Sequence, residues 1–207
     1  LWALYLKGTA YLVAAGTPLL VFTVVGAGPI LRVWLGSDLP EARQAVQVLA
    51  VGYYANLLSG MAYTVAVGMG RPEFEMRRSL LVTVLNLLLS ASLIPLLGFV
   101  GAPLGTTVAL SVGTLYLMGR FHAEFGQPLA ALVPLLRASV LLALPTAGAA
   151  WLLLQGGHWL GEGVWASALT LAVAGVVIAG AYLALAIREG VVAPADLQAV
   201  QARLGGR

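Results

Sequence analysis

The side chains that could carry out chemistry are few. The chain has no cysteine, and its two histidines, His122 and His158, have no glutamate or second histidine at metal-ligand spacing. All acidic residues fall in predicted loops or helix ends, so no membrane-buried carboxylate for acid–base catalysis or cation coupling is expected. No nucleotide-binding or nucleophile motif occurs. We predict no metal, no cofactor and no enzymatic activity, and we expect both histidines to lie at the membrane interface.

The remaining polar side chains fall into stripes at helical spacing. Lys7 and Tyr11 share one face of the first predicted helix, and Tyr53, Asn56 and Tyr63 share one face of the second. An asparagine in hydrocarbon requires a partner or water, so these stripes are candidates for a transport path. The alternative is structural: Lys7 extends to the interface, the tyrosines pack or form aromatic belts, and Asn56 bonds a neighbouring helix.

The composition is that of an integral membrane protein. Mean hydropathy is +0.95, and 60% of the residues are hydrophobic. Only 9% are charged, against about 25% in an ordinary soluble domain. The net charge of +3 comes from basic residues at the ends of apolar runs, where Lys and Arg anchor membrane helices. We therefore expect membrane lipids as partners and no nucleic acid.

Uncharged runs divide the chain into six predicted membrane helices. The run from Gln44 to Gly70 makes a helix of roughly 40 Å, enough to cross a ~30 Å hydrocarbon core. The run from Ser79 to Gly119 is about twice too long for one crossing, and prolines and glycines near its middle indicate a helical hairpin. The fold class is therefore all-α, a six-helix bundle over 1–190, with helices at about 7–31, 41–70, 74–95, 101–119, 138–155 and 165–187.

Three further segments have recognisable patterns. Small residues recur every four positions in the fourth helix, which predicts close packing against a neighbour. Apolar residues at helical spacing predict an amphipathic helix in the interface over about 123–136 and another in a cytoplasmic tail, 191–207. The small-residue ridge consists of Gly101, Gly105, Ala109 and Gly113.

The basic residues set the expected orientation. Nine of the eleven Lys and Arg fall on one side of the predicted topology, which is a strong positive-inside signal. We expect both ends of the chain to be cytoplasmic, in the inner membrane of a prokaryote, and an N-terminal portion to precede Leu1. The nine residues are Lys7, Arg71, Arg77, Arg78, Arg120, Arg137, Arg188, Arg203 and Arg207; Arg32 and Arg43 fall on the other side.

Residues 8–120 resemble the C-terminal half of polysaccharide-biosynthesis flippases, within the multidrug/oligosaccharidyl-lipid/polysaccharide exporter superfamily. The pieces that carry the resemblance are PILRVWLG at the end of the first helix and the GMGRP turn after the second. The third piece is Asn86 together with LIPLLGFVGAPLGTT, which follows it across the predicted hairpin. The remainder of the chain matches by hydropathy and position only.

The resemblance implies that the chain is one lobe of a two-lobe, twelve-helix transporter that moves lipid-linked sugars to the outer leaflet. Its partners would be the N-terminal lobe and a polyprenyl-pyrophosphate-linked glycan. Lys7 and Arg71 would attract the pyrophosphate from the cytoplasmic side, because cations bind phosphate oxygens strongly. The sugar would be contacted by Tyr11, Tyr53, Asn56 and Tyr63.

Two other functions stay open at this point. Cation-coupled multidrug or metabolite exporters of the same superfamily commonly keep acidic residues inside a lobe, whereas the acidic residues of this half are predicted in loops or at helix ends. A lipid II flippase is disfavoured, because lipid II flippases of the superfamily carry two additional C-terminal helices and this sequence has six predicted helices and a short tail. The second alternative is a non-transporting membrane scaffold for glycan assembly.

Overall fold

In the computed structural model, which describes residues 1–37, 39–156 and 164–188, the chain is all-helical and contains no strand. The predicted all-α class is therefore confirmed for these residues. Short 3₁₀ turns at Gly98–Val100 and Leu129–Leu132 connect some of the helices. The helices are α1 (Trp2–Leu35), α2 (Pro40–Leu58), α3 (Gly60–Gly68), α4 (Glu73–Leu97), α5 (Gly101–Glu124), α6 (Val133–Gly156) and α7 (Val164–Arg188).

Several helices are long and apolar enough to cross a membrane. Five such segments occur in the described part of the chain, and the third of them joins α4, a 3₁₀ turn and α5. A multi-pass membrane protein is compatible with this pattern, because each crossing needs about 20 predominantly apolar residues. The segments are Trp2–Leu35, Pro40–Gly68, Glu73–Glu124, Leu129–Leu152 and Val164–Ala184.

The predicted boundaries differ from the observed ones in the first two helices. The first helix, predicted over 7–31, runs from Trp2 to Leu35 and passes through Pro18 and Pro29. The second, predicted over 41–70, is two helices, because Ser59 interrupts it. The Ser59 hydroxyl and amide both donate to the Asn56 carbonyl, at 2.8 and 3.1 Å, which ends α2 with a local side-chain bond.

The interfacial helix predicted over 123–136 is not a separate element. Instead, α5 continues to Glu124, the chain turns at Gly126 with φ 61°, and α6 begins at Val133. Pro128 is extended, which prevents a continuous helix through this connection. Leu132 is buried in the bundle core, so the segment packs inward. The amphipathic tail predicted over 191–207 lies outside the described residues.

The helices pack in an order that places α1 centrally. It contacts α2, α3, α6 and α7, whereas α5 lies between α2 and α4. The hairpin is antiparallel, since Gly101 of α5 lies against Leu93 of α4 and Gly113 against Val82. Phe74 is the only buried residue of α4, whose whole length is described, so the rest of that helix is largely uncovered.

Two separate apolar cores hold these helices. One lies where α1 begins, α4 begins and α5 ends, and it includes Tyr5, Phe74 and Phe121. The other joins the second half of α1 to α6 and α7, and it consists of small and aliphatic residues around Val21 and Ile178. The first core brings a histidine and several charged side chains from different helices together, whereas the Thr17 hydroxyl lies 2.8 Å from that of Tyr54 between α1 and α2.

Candidate functional site at the basic end of the bundle

The small-residue ridge of α5 positions the first elements of the site by bringing α4 close to α5. A Cβ added to Gly105 would lie 2.9 Å from the Ser90 amide nitrogen, which leaves no room for a side chain. Gly113 lies beneath Val82 and Arg78, and Ala109 is fully buried. The first turns of α4 are thereby held against the last turns of α5.

A polar pair closes the first core. The Tyr5 hydroxyl lies 2.9 Å from His122 Nε2, and the Pro128 carbonyl lies 3.1 Å from Nδ1. Because a carbonyl can only accept, Nδ1 donates to Pro128, and in the neutral ring Nε2 accepts from Tyr5. His122, predicted to be interfacial, is instead 1% exposed. This burial was not predicted, because the pairing partner comes from the distant start of the chain.

Aromatic rings enclose this pair. The Trp2 ring meets the His122 ring edge-on, with centroids 4.9 Å apart, and the Phe121 ring lies 4.7 Å from that of Tyr5. The connection from α5 to α6 is tied to the same cluster through Pro128. We call Trp2, Tyr5, Phe121, His122 and Phe125 the aromatic clasp, because it joins the beginning of α1 to the end of α5.

Basic side chains gather beside the buried ring of Phe74. The guanidinium carbons of Arg71 and Arg120 lie 5.8 and 5.9 Å from its centroid, although they come from different parts of the chain. Arg71 also forms an ion pair of 2.9 Å with Glu124, and both side chains are more than a third exposed. An exposed pair of this kind contributes little stability and stays available to an anionic group.

A second polar network links α2 to α4. Arg78 donates from Nη1 to Glu75 Oε1 at 2.6 Å and from Nη2 to Asn56 Oδ1. The Arg78 side chain is 11% exposed and that of Glu75 26%. Ser79 donates to the same Glu75 oxygen at 3.0 Å. We call Asn56, Glu75 and Arg78 the charge triad.

The predicted cavity residues lie in several environments. The Lys7 ammonium is 5.7 Å from the Tyr11 ring centroid, so these two do meet. Tyr53 and Tyr63 are exposed, at 59% and 44%. However, α1 faces α2 and α3 through Gly8, Leu12 and Gly16, which belong to a different face from Lys7 and Tyr11. Asn56 bonds Arg78 of a neighbouring helix, as in the structural alternative.

Sequence reasoning missed both polar clusters. Glu75, Arg78 and Ser79 have the i, i+3 and i+4 spacing that predicts side-chain contacts on one helix face, so this signal was present in RPEFEMRRS. The pairing of Tyr5 with His122 spans 117 positions and leaves no local signal. Among the described residues, no group of three or more His, Cys, Asp or Glu is placed to hold a metal ion; His158 lies outside them.

Comparisons with protein-family models, with curated proteins and with solved structures found no match to this chain.

Proposed function

We propose that the chain is a lobe of a membrane flippase that moves lipid-linked oligosaccharide or polysaccharide precursors across the cytoplasmic membrane. The single observation that carries the proposal is the basic end of the bundle, where Arg71 and Arg120 flank Phe74. Cations at a cytoplasmic membrane surface attract anionic headgroups, including the pyrophosphate of a lipid carrier. The sequence resemblance names the cargo class.

The lobe crosses the membrane six times in this proposal. The antiparallel α4–α5 hairpin supplies two of the crossings, because α4 has 25 residues and α5 has 24. At 1.5 Å per residue each is about 36 Å long, enough for one span. The other four apolar segments supply one crossing each. With six crossings the chain begins and ends on the same side, which the positive-inside rule makes cytoplasmic.

Basic side chains at this end support an anionic cargo better than a neutral one. The carboxylates that pair with Arg71 in the described part of the chain, Glu73 at 4.0 Å and Glu124 at 2.9 Å, are each more than a third exposed, so a phosphate can displace them. Arg120 is exposed beside the same ring. A guanidinium binds phosphate oxygens through two parallel hydrogen bonds, so two such groups suit a pyrophosphate.

The proposal is tested in cells that lack the protein. We expect such cells to lose surface glycan and to accumulate lipid-linked glycan in the inner leaflet, and the wild-type gene to restore display. Arg71→Ala combined with Arg120→Ala is expected to lower display at least tenfold. Arg43→Ala, a basic residue predicted on the other side of the membrane, is the matched control at equal protein level. Full display with the double variant would contradict the proposal.

A second candidate, cation-coupled drug or metabolite export, is favoured by one observation. Glu75 is a half-buried carboxylate with one buried oxygen, Oε2, that has no hydrogen-bond partner. Every acidic residue is predicted in a loop or at a helix end, and Glu75 does lie in the first turn of α4, where its Oε2 atom is buried. Cation-dependent dye efflux from proteoliposomes, abolished by Glu75→Gln, would favour this candidate over the flippase.

The scaffold alternative predicts normal glycan display when the polar and basic side chains are replaced. If Asn56→Leu with Tyr53→Phe leaves glycan display unchanged, and Arg71→Ala with Arg120→Ala does too, the chain recruits glycan enzymes without carrying cargo. Loss of display with unchanged binding of those enzymes supports transport.

A further inference from the structure

We propose that the hydroxyls of Tyr182 on α7 and Tyr54 on α2 bind one water molecule in the interior of the bundle. The water completes a chain of hydrogen bonds that ends at the Val13 carbonyl of α1. This binding site joins three helices, and it is independent of the cargo proposed above. Its residues all lie in segments that are long and apolar enough to cross a membrane.

Two observed hydrogen bonds form the α1 end of this chain, and their directions are fixed. The Thr17 hydroxyl donates to the Val13 carbonyl at 2.7 Å, because a carbonyl can only accept. A hydroxyl has one hydrogen, so Thr17 accepts in its other bond, which joins it to the Tyr54 hydroxyl at 2.8 Å. Tyr54 is therefore the donor to Thr17, and its oxygen can still accept a hydrogen bond from another group.

The Tyr182 hydroxyl needs a partner of the complementary kind. The side chain is 2% exposed, and among the residues that the structure describes its hydroxyl is buried without a hydrogen-bond partner. A buried tyrosine hydroxyl usually has a partner, because burial takes away its hydrogen bonds to bulk water. Tyr182 therefore has a hydrogen to donate, and a nearby group must accept it.

The packing of α7 on α1 brings Tyr182 to the level of Thr17. The two helices are antiparallel, since positions further back on α1 contact positions further forward on α7. The neighbours that show this are Gly26 with Leu171, Phe22 with Gly175, and Val21 with Ile178 in their shared core. One helical turn beyond the last pair come Thr17 and Tyr182. The phenol groups of Tyr54 and Tyr182 are also close enough to interact electrostatically.

Gly16 allows the Tyr54 ring to lie against α1. A Cβ at Gly16 would lie 3.3 Å from Tyr54 Cε2, so the ring packs on a backbone that carries no side chain. The next residue, Thr17, is buried and accepts from the Tyr54 hydroxyl. The Tyr54 oxygen therefore reaches from α2 to the level of α1 at which Tyr182 lies.

One water molecule satisfies both groups. Tyr182 supplies a hydrogen and Tyr54 a lone pair, yet no hydrogen bond joins the two hydroxyls directly. A water molecule bridges such a pair by accepting from one hydroxyl and donating to the other, and two polar partners are enough to hold a buried water. The oxygens of Val13, Thr17, Tyr54 and Tyr182 are all uncharged, which suits a neutral ligand better than a metal ion.

Radiolytic footprinting of the intact protein in lipid nanodiscs tests the site, because hydroxyl radicals formed from a bound water oxidise the aromatic ring beside it. We expect Tyr182 to be oxidised at least about tenfold faster than Phe121, a ring that is also buried but lies among other aromatic rings. Tyr54→Phe is expected to lower the oxidation of Tyr182 to the rate of Phe121. Tyr53→Phe, at the neighbouring exposed tyrosine, is the matched control and should leave that rate unchanged.

The stability of Tyr182→Phe separates a bound water from an unpaired hydroxyl, and it serves if Tyr54→Phe does not fold. Loss of the hydrogen bond to water is expected to raise the unfolding equilibrium constant of the full chain in detergent about fivefold. An unpaired hydroxyl predicts a lower constant, because its removal relieves the burial of a polar atom. A lower constant would overturn the proposal. Oxidation of Tyr182 in the unsubstituted protein as slow as that of Phe121 would also overturn it, since the site would then be dry.

Discussion

The aromatic clasp and the charge triad lie in neighbouring parts of the bundle and differ in how fully their polar atoms are bonded. In the clasp, both His122 ring nitrogens and the Tyr5 hydroxyl have partners, and rings cover them on several sides. In the triad, one nitrogen of Arg78 and one oxygen of Glu75 are buried without partners. These three clasp atoms all have hydrogen-bond partners, whereas two atoms of the triad have none.

This difference separates a region that holds the bundle together from a region that can change. A fully bonded polar cluster in a low-dielectric interior fixes one arrangement of the helices, whereas a partly bonded one admits several. The clasp fixes the end of α5 to the beginning of α1. The triad links α2 to α4 through the bond from Arg78 to Asn56, and Arg78 has a further buried nitrogen without a partner. We therefore expect clasp variants to lose stability and triad variants to shift conformation.

The largest effect is expected from breaking the clasp. His122→Ala removes a buried ring and the hydrogen-bond acceptor of the Tyr5 hydroxyl, while the Pro128 carbonyl keeps only the bond from the Ala131 amide. We expect the free energy of unfolding to fall by about 3–4 kcal/mol. Chemical unfolding of the intact protein in detergent measures it. Tyr63→Phe, at an exposed tyrosine, is the control, and a loss below about 1 kcal/mol for His122→Ala would contradict the comparison.

Separating α4 from α5 is expected to cause the next largest loss in the free energy of unfolding. It also displaces Arg78 of the triad, which packs on Gly113. Gly113→Leu places a side chain where Val82 and Arg78 now lie, so α4 must move away from α5. Overpacking of this kind costs about 1–3 kcal/mol. Gly119→Leu is the matched control on the same helix, because a Cβ there meets nothing within 4 Å. Equal losses in the two variants would show that the close approach at Gly113 does not matter.

A double-mutant cycle sharpens the comparison by measuring the triad itself. Replacing Asn56 by Leu and Arg78 by Met, singly and together, is expected to give a coupling energy of about 1–2 kcal/mol. The same cycle on Tyr5→Phe and His122→Leu is expected to give a larger value, because those partners are fully buried. A triad coupling that equals or exceeds that of the clasp would contradict this comparison.

The smallest effect is expected at the rim of the triad. Ser79 is exposed and donates to the Glu75 oxygen that Arg78 already uses, so Ser79→Ala removes a redundant bond. The free energy of unfolding should change by no more than about 0.5 kcal/mol. A larger loss would mean that Ser79 holds Glu75 in its present rotamer, and the triad would then be less free to rearrange.

The sequence was sufficient for the features that depend on local pattern. Hydropathy gave the helical class, and the glycines and prolines near 98 gave the hairpin, because backbone groups in lipid must be paired within their own segment. The ridge at Gly101, Gly105 and Gly113 was visible as a four-residue period, and the structure places it against α4.

The features that depend on distant contacts could not be found this way. The interruption at Ser59 involves a hydrogen bond from the Ser59 side chain to the Asn56 carbonyl, and hydropathy does not predict such a bond. Burial of His122 depends on Tyr5, far along the chain. For the predicted cavity residues, the sequence gives their positions on helix faces, whereas the packing of whole helices determines which faces meet.

The membrane orientation of the basic end is the central claim, and cysteine accessibility tests it most directly. Because the chain has no cysteine, Ser37→Cys and Met76→Cys can be labelled separately in intact cells with a membrane-impermeant maleimide. Both residues are exposed, one beyond the end of α1 and the other in the first turn of α4. We predict that position 37 is labelled at once and position 76 only after permeabilisation. Labelling of position 76 but not 37 in intact cells would contradict the account.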